Sequence, residues 1–236
     1  PEQMNALSPE MSDSIAAALE QLARDDDVRV VVITGAGRAF CAGGDLKTMN
    51  ERAERERTAV GRIEALSASG RRIPVLIRQL TKPVLASVNG AAMGWGCDLA
   101  LACDIRVAAD SARFGELFVK RGLIPDGGAT YQLPRLIGMD RAAELIFTGR
   151  IIDAQEALRI GLVTRVVPAA GLTQATEALA AEIAANAPLA VQMAKRLLNA
   201  QLDLTLPQAM EQVALFLSTL RHSEDHQEGV RAFLEK

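Results

Sequence analysis

Aromatic side chains make up only 3% of the 236 residues, with one Trp and one Tyr. That scarcity leaves no stacking platform for nucleobases and no aromatic cleft for a carbohydrate. Cysteine is also sparse. Cys41, Cys97 and Cys103 are odd in number and show no C-x-x-C spacing, so neither a disulfide framework nor a zinc ribbon is expected, and a reducing, cytoplasmic location fits. The two histidines, His222 and His226, stand four apart on an expected helix with no third ligand placed, so no metal is expected. No apolar run reaches the ~18 residues of a membrane span, and no basic-then-apolar leader precedes the first helix. Lys and Arg number 26 against 29 Asp and Glu, for a net charge of −3, which provides no electrostatic footprint for a polyanion. Neither nucleic acid nor a membrane is an expected partner. The chain starts at Pro1 without Met, so a short preceding piece is expected.

What the sequence has in quantity is apolar residues, 49% of the total, beside 23% charged ones. On mass scaling, folding buries roughly 70% of the surface that the unfolded chain exposes, enough for a core without metal or disulfide help. Ser8-Pro9-Glu10 reads as a helix start, with Ser8 as N-cap and Pro9 at the first helical position, and apolar residues follow at helical spacing until Asp25-Asp26-Asp27. The β-branched run of 28–34 predicts a strand buried on both faces, as in a parallel sheet. Residues 35–46 read as a Gly-rich loop and 47–80 as a charged helix turning apolar, with the alternating charges of 51–57 forming a solvated face. Strands are predicted at 84–88 and 105–108, an apolar helix at 97–102, helices over about 130–160, a last short strand at 163–167 and helices from Leu172 onward. Strand, glycine loop, helix, strand is the rhythm of an α/β fold with a parallel sheet.

Two glycine loops follow successive strands. The first is Phe40-Cys41-Ala42-Gly43-Gly44-Asp45-Leu46; the second is Asn89-Gly90-Ala91-Ala92-Met93-Gly94-Trp95-Gly96-Cys97-Asp98, which opens a helix. Parallel sheets bind ligands beyond the carboxyl ends of their strands, glycines let backbone amides approach closely, and a helix N-terminus favours negative charge. Two such loops would hold one oxygen between them; read blandly, they are two tight turns. Gly35-Ala36-Gly37 and Gly94-Trp95-Gly96 are each half of a dinucleotide fingerprint, but Phe40 and Leu99 stand where the third glycine belongs. Neither a G-x-S-x-G elbow nor a Walker lysine motif is present.

These loops, together with Gly122-Leu123-Ile124-Pro125-Asp126-Gly127-Gly128 and taken in order and spacing, resemble the enoyl-CoA hydratase/isomerase (crotonase) superfamily over nearly the whole chain. The resemblance implies a crotonase-like (ClpP/crotonase) ββα spiral at 1–170 and a C-terminal helical oligomerisation region at 171–236. It further implies assembly as a homotrimer or homohexamer. The substrate would be an acyl-CoA thioester that passes through an enolate, with no cofactor beyond the coenzyme A of the substrate itself. The amides of Gly44 and Trp95 would form the oxyanion hole, where a preorganised donor is worth ~3–4 kcal/mol. Ala42, Asp45 and Leu46 would line the coenzyme A groove. Trp95 stands where relatives commonly have glycine, so its indole either turns away from the pocket or forms part of its wall.

Departures from the family bear on the reaction. Hydratases of the family place two glutamates around one water; here the matching positions carry Asp98 and Phe118, and Phe118 cannot transfer a proton. A double-bond shift needs only one carboxylate, to take a proton from C2 and return it to C4. Asp126 is the candidate, beside an apolar wall from Phe118 and Ile124 expected to raise its proton affinity by desolvation. The competing reading makes Asp126 a cap for the helix starting near Ala129. Asp98 is either catalytic or a first-turn carboxylate satisfied by amides. Glu116 is a third candidate, or simply pairs with Lys120 or Arg121. The expected reaction is 3-enoyl-CoA to 2-enoyl-CoA isomerisation. Hydration of a 2-enoyl-CoA, a non-catalytic acyl-CoA-binding role and, remotely, a dinucleotide oxidoreductase stand behind it.

Overall fold

The structure, a computed structural model, describes every residue except 46, 47, 49–53, 67, 68 and 236. Its first helix, α1 (Pro9–Arg24), begins as the sequence predicts: Ser8 Oγ accepts from the Met11 N–H at 3.2 Å, and Pro9 occupies the first turn, where no amide is needed. Strand β1 (Val31–Thr34) is shorter than the 28–34 run, because the Val28 N–H turns back to the Asp25 carbonyl at 3.1 Å. Nor is it buried on both faces. Val32 is 42% exposed, as befits an edge strand.

The chain then alternates between two sheets. Strands β2 (Ala39–Cys41), β3 (Val84–Val88), β4 (Ala91–Met93), β5 (Ile105–Ala109), β6 (Arg113–Gly115), β7 (Ile151–Asp153) and β8 (Arg165–Val167) complete two four-stranded sheets. The first, of order β1-β3-β5-β8, is parallel throughout; the second, β2-β4-β6-β7, is parallel except for the antiparallel β6–β7 pair. Three successive passes thus lay one strand in each sheet, the strand-strand-helix spiral that the resemblance implies. The second sheet went unread in the sequence. Its strands are three residues long, too short for an alternating pattern; β2 and β4 hide inside the glycine loops and β7 inside the expected 130–160 helices.

Helices α2 (Ala59–Leu66), α3 (Ser69–Gln79) and α4 (Trp95–Ala102) connect the strands. Helices α5 (Ala129–Ile137), α6 (Met139–Thr148) and α7 (Ala154–Arg159) follow the last passes. Strand β3 is buried at every position, and its two faces serve different cores. Val84, Ala86 and Val88 join the main core with Ile73, Leu101 and Phe114, whereas Leu85 joins Val107, Leu172 and Leu179 on the opposite face. Leu172 and Leu179 belong to α8 (Leu172–Ala184), which is followed by α9 (Pro188–Ala200), α10 (Leu206–Leu220) and α11 (Glu224–Leu234). Lys195 fastens α9 to the body. Its ammonium, only 6% exposed, donates to the Ile77 and Lys82 carbonyls at 2.9 Å and meets Asp104 at 2.7 Å.

Candidate active site

Strands β2 and β4 are parallel neighbours, so the loops leaving their carboxyl ends lie side by side. The N-terminal segment shapes the first loop. Ala42 N–H donates to the Met4 carbonyl, Leu7 N–H to the Gly43 carbonyl and Asp45 N–H to the Leu7 carbonyl, at 3.0, 2.7 and 3.0 Å. Asn5 adds side-chain bonds to the carbonyls of Ala36 and Ala39. The Ala42 and Asp45 amides are therefore engaged, while among the described residues no backbone acceptor takes the Gly44 N–H. Gly43 has φ +102°, and a Cβ there would lie 2.9 Å from the Met93 carbonyl oxygen and 3.9 Å from the Trp95 nitrogen. Only glycine permits so close an approach of the two loops.

The second loop is set by Gly94, whose N–H donates to the Gly115 carbonyl at 2.7 Å and whose carbonyl accepts from Cys97 and Asp98 at 2.8 and 3.0 Å. This closes the first turn of α4 and leaves the Trp95 N–H as its first amide, at the positive end of the helix dipole. Of the two orientations open to the indole, the structure has it turned into the main core, 6% exposed. Phe118, half-buried on the 3₁₀ turn Leu117–Arg121, brings its ring edge within 3.8 Å of where a Gly94 side chain would begin. It thus forms an apolar wall beside the N-terminus of α4. Ala42 and Asp45 are half-buried on the first loop, and Leu46 lies outside the described residues.

Asp98, on the first turn of α4, has no exposed surface. Its Oδ2 accepts from the Gly127 N–H at 3.0 Å and its Oδ1 from the Ala129 N–H at 2.6 Å, so one carboxylate joins α4 to the turn that opens α5. It is satisfied by amides, but by those of another element rather than its own helix. Gly127 is obligatory: a Cβ there would fall 2.6 Å from the Asp98 Cβ. Burial pushes the Asp98 carboxyl up to about 7; the two amide bonds oppose this, and the nearby Asp126 charge adds to it. Asp126 is exposed on the turn so held. The capping reading places it wrongly, because the N-cap of α5 is Gly128, with no side-chain cap, and Asp98 supplies the carboxylate there.

Glu116 directly follows β6 and is 2% exposed. Neither of its oxygens has a hydrogen-bond partner among the described residues, so the expected pairing with Lys120 or Arg121 is absent. Burial drives its carboxyl well above the ordinary range, and the Asp98 and Asp126 charges push the same way. Its burial was illegible without β6. Among the described residues no three metal-ligating side chains group together, His222 and His226 included. Gly35-Ala36-Gly37 runs into strand β2 rather than a helix, unlike a dinucleotide fingerprint.

Two amide-bearing loops in contact, an apolar wall and a cluster of carboxyl groups suit enolate chemistry on a thioester. The comparisons with known proteins agree with that setting. A family model for enoyl-CoA hydratase/isomerase matches residues 1–236. The short-chain-enoyl-CoA hydratase of Clostridium acetobutylicum is 37% identical over 237 residues, covering 100% of this chain and 88% of that protein. The crotonyl-CoA hydratase of Syntrophomonas wolfei is also 37% identical over 237 residues, covering 100% of this chain and 89% of that protein. The crystal structure of an enoyl-CoA hydratase from Bacillus anthracis superposes with a TM-score of 0.91 at 39% identity, covering 99% of this chain and 89% of that one. Matched from end to end in sequence and in fold, the chain belongs to the enoyl-CoA hydratase/isomerase family and has the crotonase fold.

Proposed function

We propose that this enzyme shifts a double bond, converting 3-enoyl-CoA to 2-enoyl-CoA thioesters. The observation that carries this reading is the state of the two positions where the family's hydratases hold paired glutamates. Phe118 is an apolar wall, and Asp98 is buried with both oxygens committed to backbone amides. Neither is disposed to activate a water. Asp126, exposed on a turn that Asp98 holds, takes a proton from C2, and the C2–H electrons move onto the thioester oxygen to give an enolate. The amides of Gly44 and Trp95 stabilise that oxygen. The electrons then return, the double bond moves into conjugation, and Asp126 delivers the proton to C4. Ala42 and Asp45 line the groove for coenzyme A, which arrives with the substrate, and no other cofactor is required.

The names of the relatives favour a second reading, hydration of a 2-enoyl-CoA. Supplying 3-enoyl-CoA and 2-enoyl-CoA separately and following conjugated-thioester absorbance separates the two. A lasting rise from the first substrate means isomerisation, and loss from the second means hydration. Asp126→Asn is expected to lower isomerase kcat by about 10²-fold or more with KM little changed, the usual weight of a general base. An Asn variant with full activity refutes the assignment.

Assembly as a homotrimer or homohexamer is part of the same proposal. It is supported by exposed apolar side chains in the helical region, Leu198, Leu206, Met210 and Leu215 among them. A cytoplasmic location is supported by three unpaired, buried cysteines. Among the described residues no helix is long and apolar enough to cross a membrane.

A further inference from the structure

Glu116 is a buried acid that the reaction above does not use. Among the described residues its two oxygens have no strong hydrogen-bond donor, and the cavity it lines with Cys97, Phe114, Arg150 and Ile152 measures about 10 Å³, room for at most one water. The Cys97 thiol lies against it, and Asp98 is the next residue along α4. The groups facing it are therefore Cys97 and Asp98 from α4, Asp126 from the turn before α5, and Arg150 from the start of β7. The Arg150 guanidinium is itself bound to Glu144 and Glu156, both at 2.8 Å.

Two buried carboxyl groups that each feel the other's charge do not both ionise readily, and the pair holds a proton in common. Hydrogen bonding decides which member keeps it. Asp98 receives two backbone N–H groups, which favour its charge, whereas Glu116 has no such amide and only the weakly donating Cys97 thiol against it. We propose that Glu116 is a positioning residue of the active site: a neutral carboxylic acid that, by retaining the proton of the pair, leaves Asp98 charged to grip the 127–129 turn and so hold Asp126 in place. When Glu116 ionises at alkaline pH, Asp98 is repelled by a second buried charge. Its hold on the Gly127 and Ala129 amides then weakens, and the turn loosens. The inference rests on the assignment of Asp126 as the base, but its test does not depend on turnover.

Infrared spectroscopy of the protein with glutamate labelled by carbon-13 at the side-chain carboxyl tests the proton directly. The expected result is a buried neutral-carboxyl band at neutral pH that moves with the label and is missing from Glu116→Gln. No such band in the wild-type protein overturns the proposal, whether or not the variant folds. The Gly127 and Ala129 amide resonances should shift at alkaline pH in the wild-type protein and stay fixed in Glu116→Gln. With whichever thioester is turned over, Glu116→Gln should keep kcat within about threefold at neutral pH and lose the alkaline fall in kcat/KM. An alkaline fall or amide shift that persists unchanged in the variant overturns the positioning role. Failure of both thioesters to react, with the infrared and resonance results as expected, would refute the proposed reaction and leave this inference standing.

Discussion

Replacing Asp98 by Asn should change how stability depends on pH more than it changes stability itself. The carboxyl has a folded value of about 7 against 3.8 for the unreacted side chain, raised mainly by burial. Between those values the unfolded chain has released the proton and the folded chain keeps it, so unfolding releases protons and stability falls as pH rises. At ~1.36 kcal/mol per pH unit the loss amounts to about 4 kcal/mol, complete slightly above pH 7. Asn carries no such dependence, and loss of the Asp98 charge also eases ionisation of Glu116, which works in the same direction. From pH 4 to pH 8 the stability difference should therefore move by about 4 kcal/mol in favour of the Asn variant, which is about 8–16 °C in Tm for a domain of this size. Chemical denaturation followed by circular dichroism across that range measures it. Curves for the two proteins that run parallel throughout would show that Asp98 is not a charge buried at a cost, and the reasoning behind the shared proton would fail with it. A rise in stability accompanied by a fall in turnover is the expected pattern where an enzyme retains a costly charge to hold its catalytic turn.

Two further substitutions probe the same framework. Gly127→Ala drives a methyl group into the Asp98 side chain, and it should cost about 1–3 kcal/mol in urea unfolding. It should also lower kcat at least tenfold, because the turn bearing Asp126 is displaced. Lys195→Met removes one partner of a buried ion pair and should cost about 3–5 kcal/mol of stability. Turnover per folded molecule should be unchanged, since Lys195 bonds Ile77, Lys82 and Asp104 and neither glycine loop; a specific loss of kcat would contradict that separation.

Much of the frame was legible in the residues. Ser8-Pro9 announced α1, the β-branched run at Val84–Val88 announced the central strand, and the paired glycines marked both loops. Periodic signals of this kind are local, which is why they can be read. The second sheet was not legible, because strands of three residues acquire meaning only from distant partners, as Ala39 does from Ala91. The two-faced burial expected for 28–34 failed for a related reason: β-branched composition reports strand preference, not whether the strand lies at an edge. The roles of the acids divided along the same line. That Asp98 and Asp126 would bear on the same chemistry was an expectation from the family motifs. That Asp98 caps α5 from across the fold, and that Glu116 is sealed without a partner, depends on side-chain directions that no spacing encodes.

The first seven residues are remote in sequence from Asp98, Glu116 and Asp126, yet Met4, Asn5 and Leu7 are what fix the first glycine loop. A purification tag, fusion partner or proteolytic nick at that end would therefore disturb turnover before it disturbed melting. Preparations differing only in their leading residues should be expected to differ in specific activity.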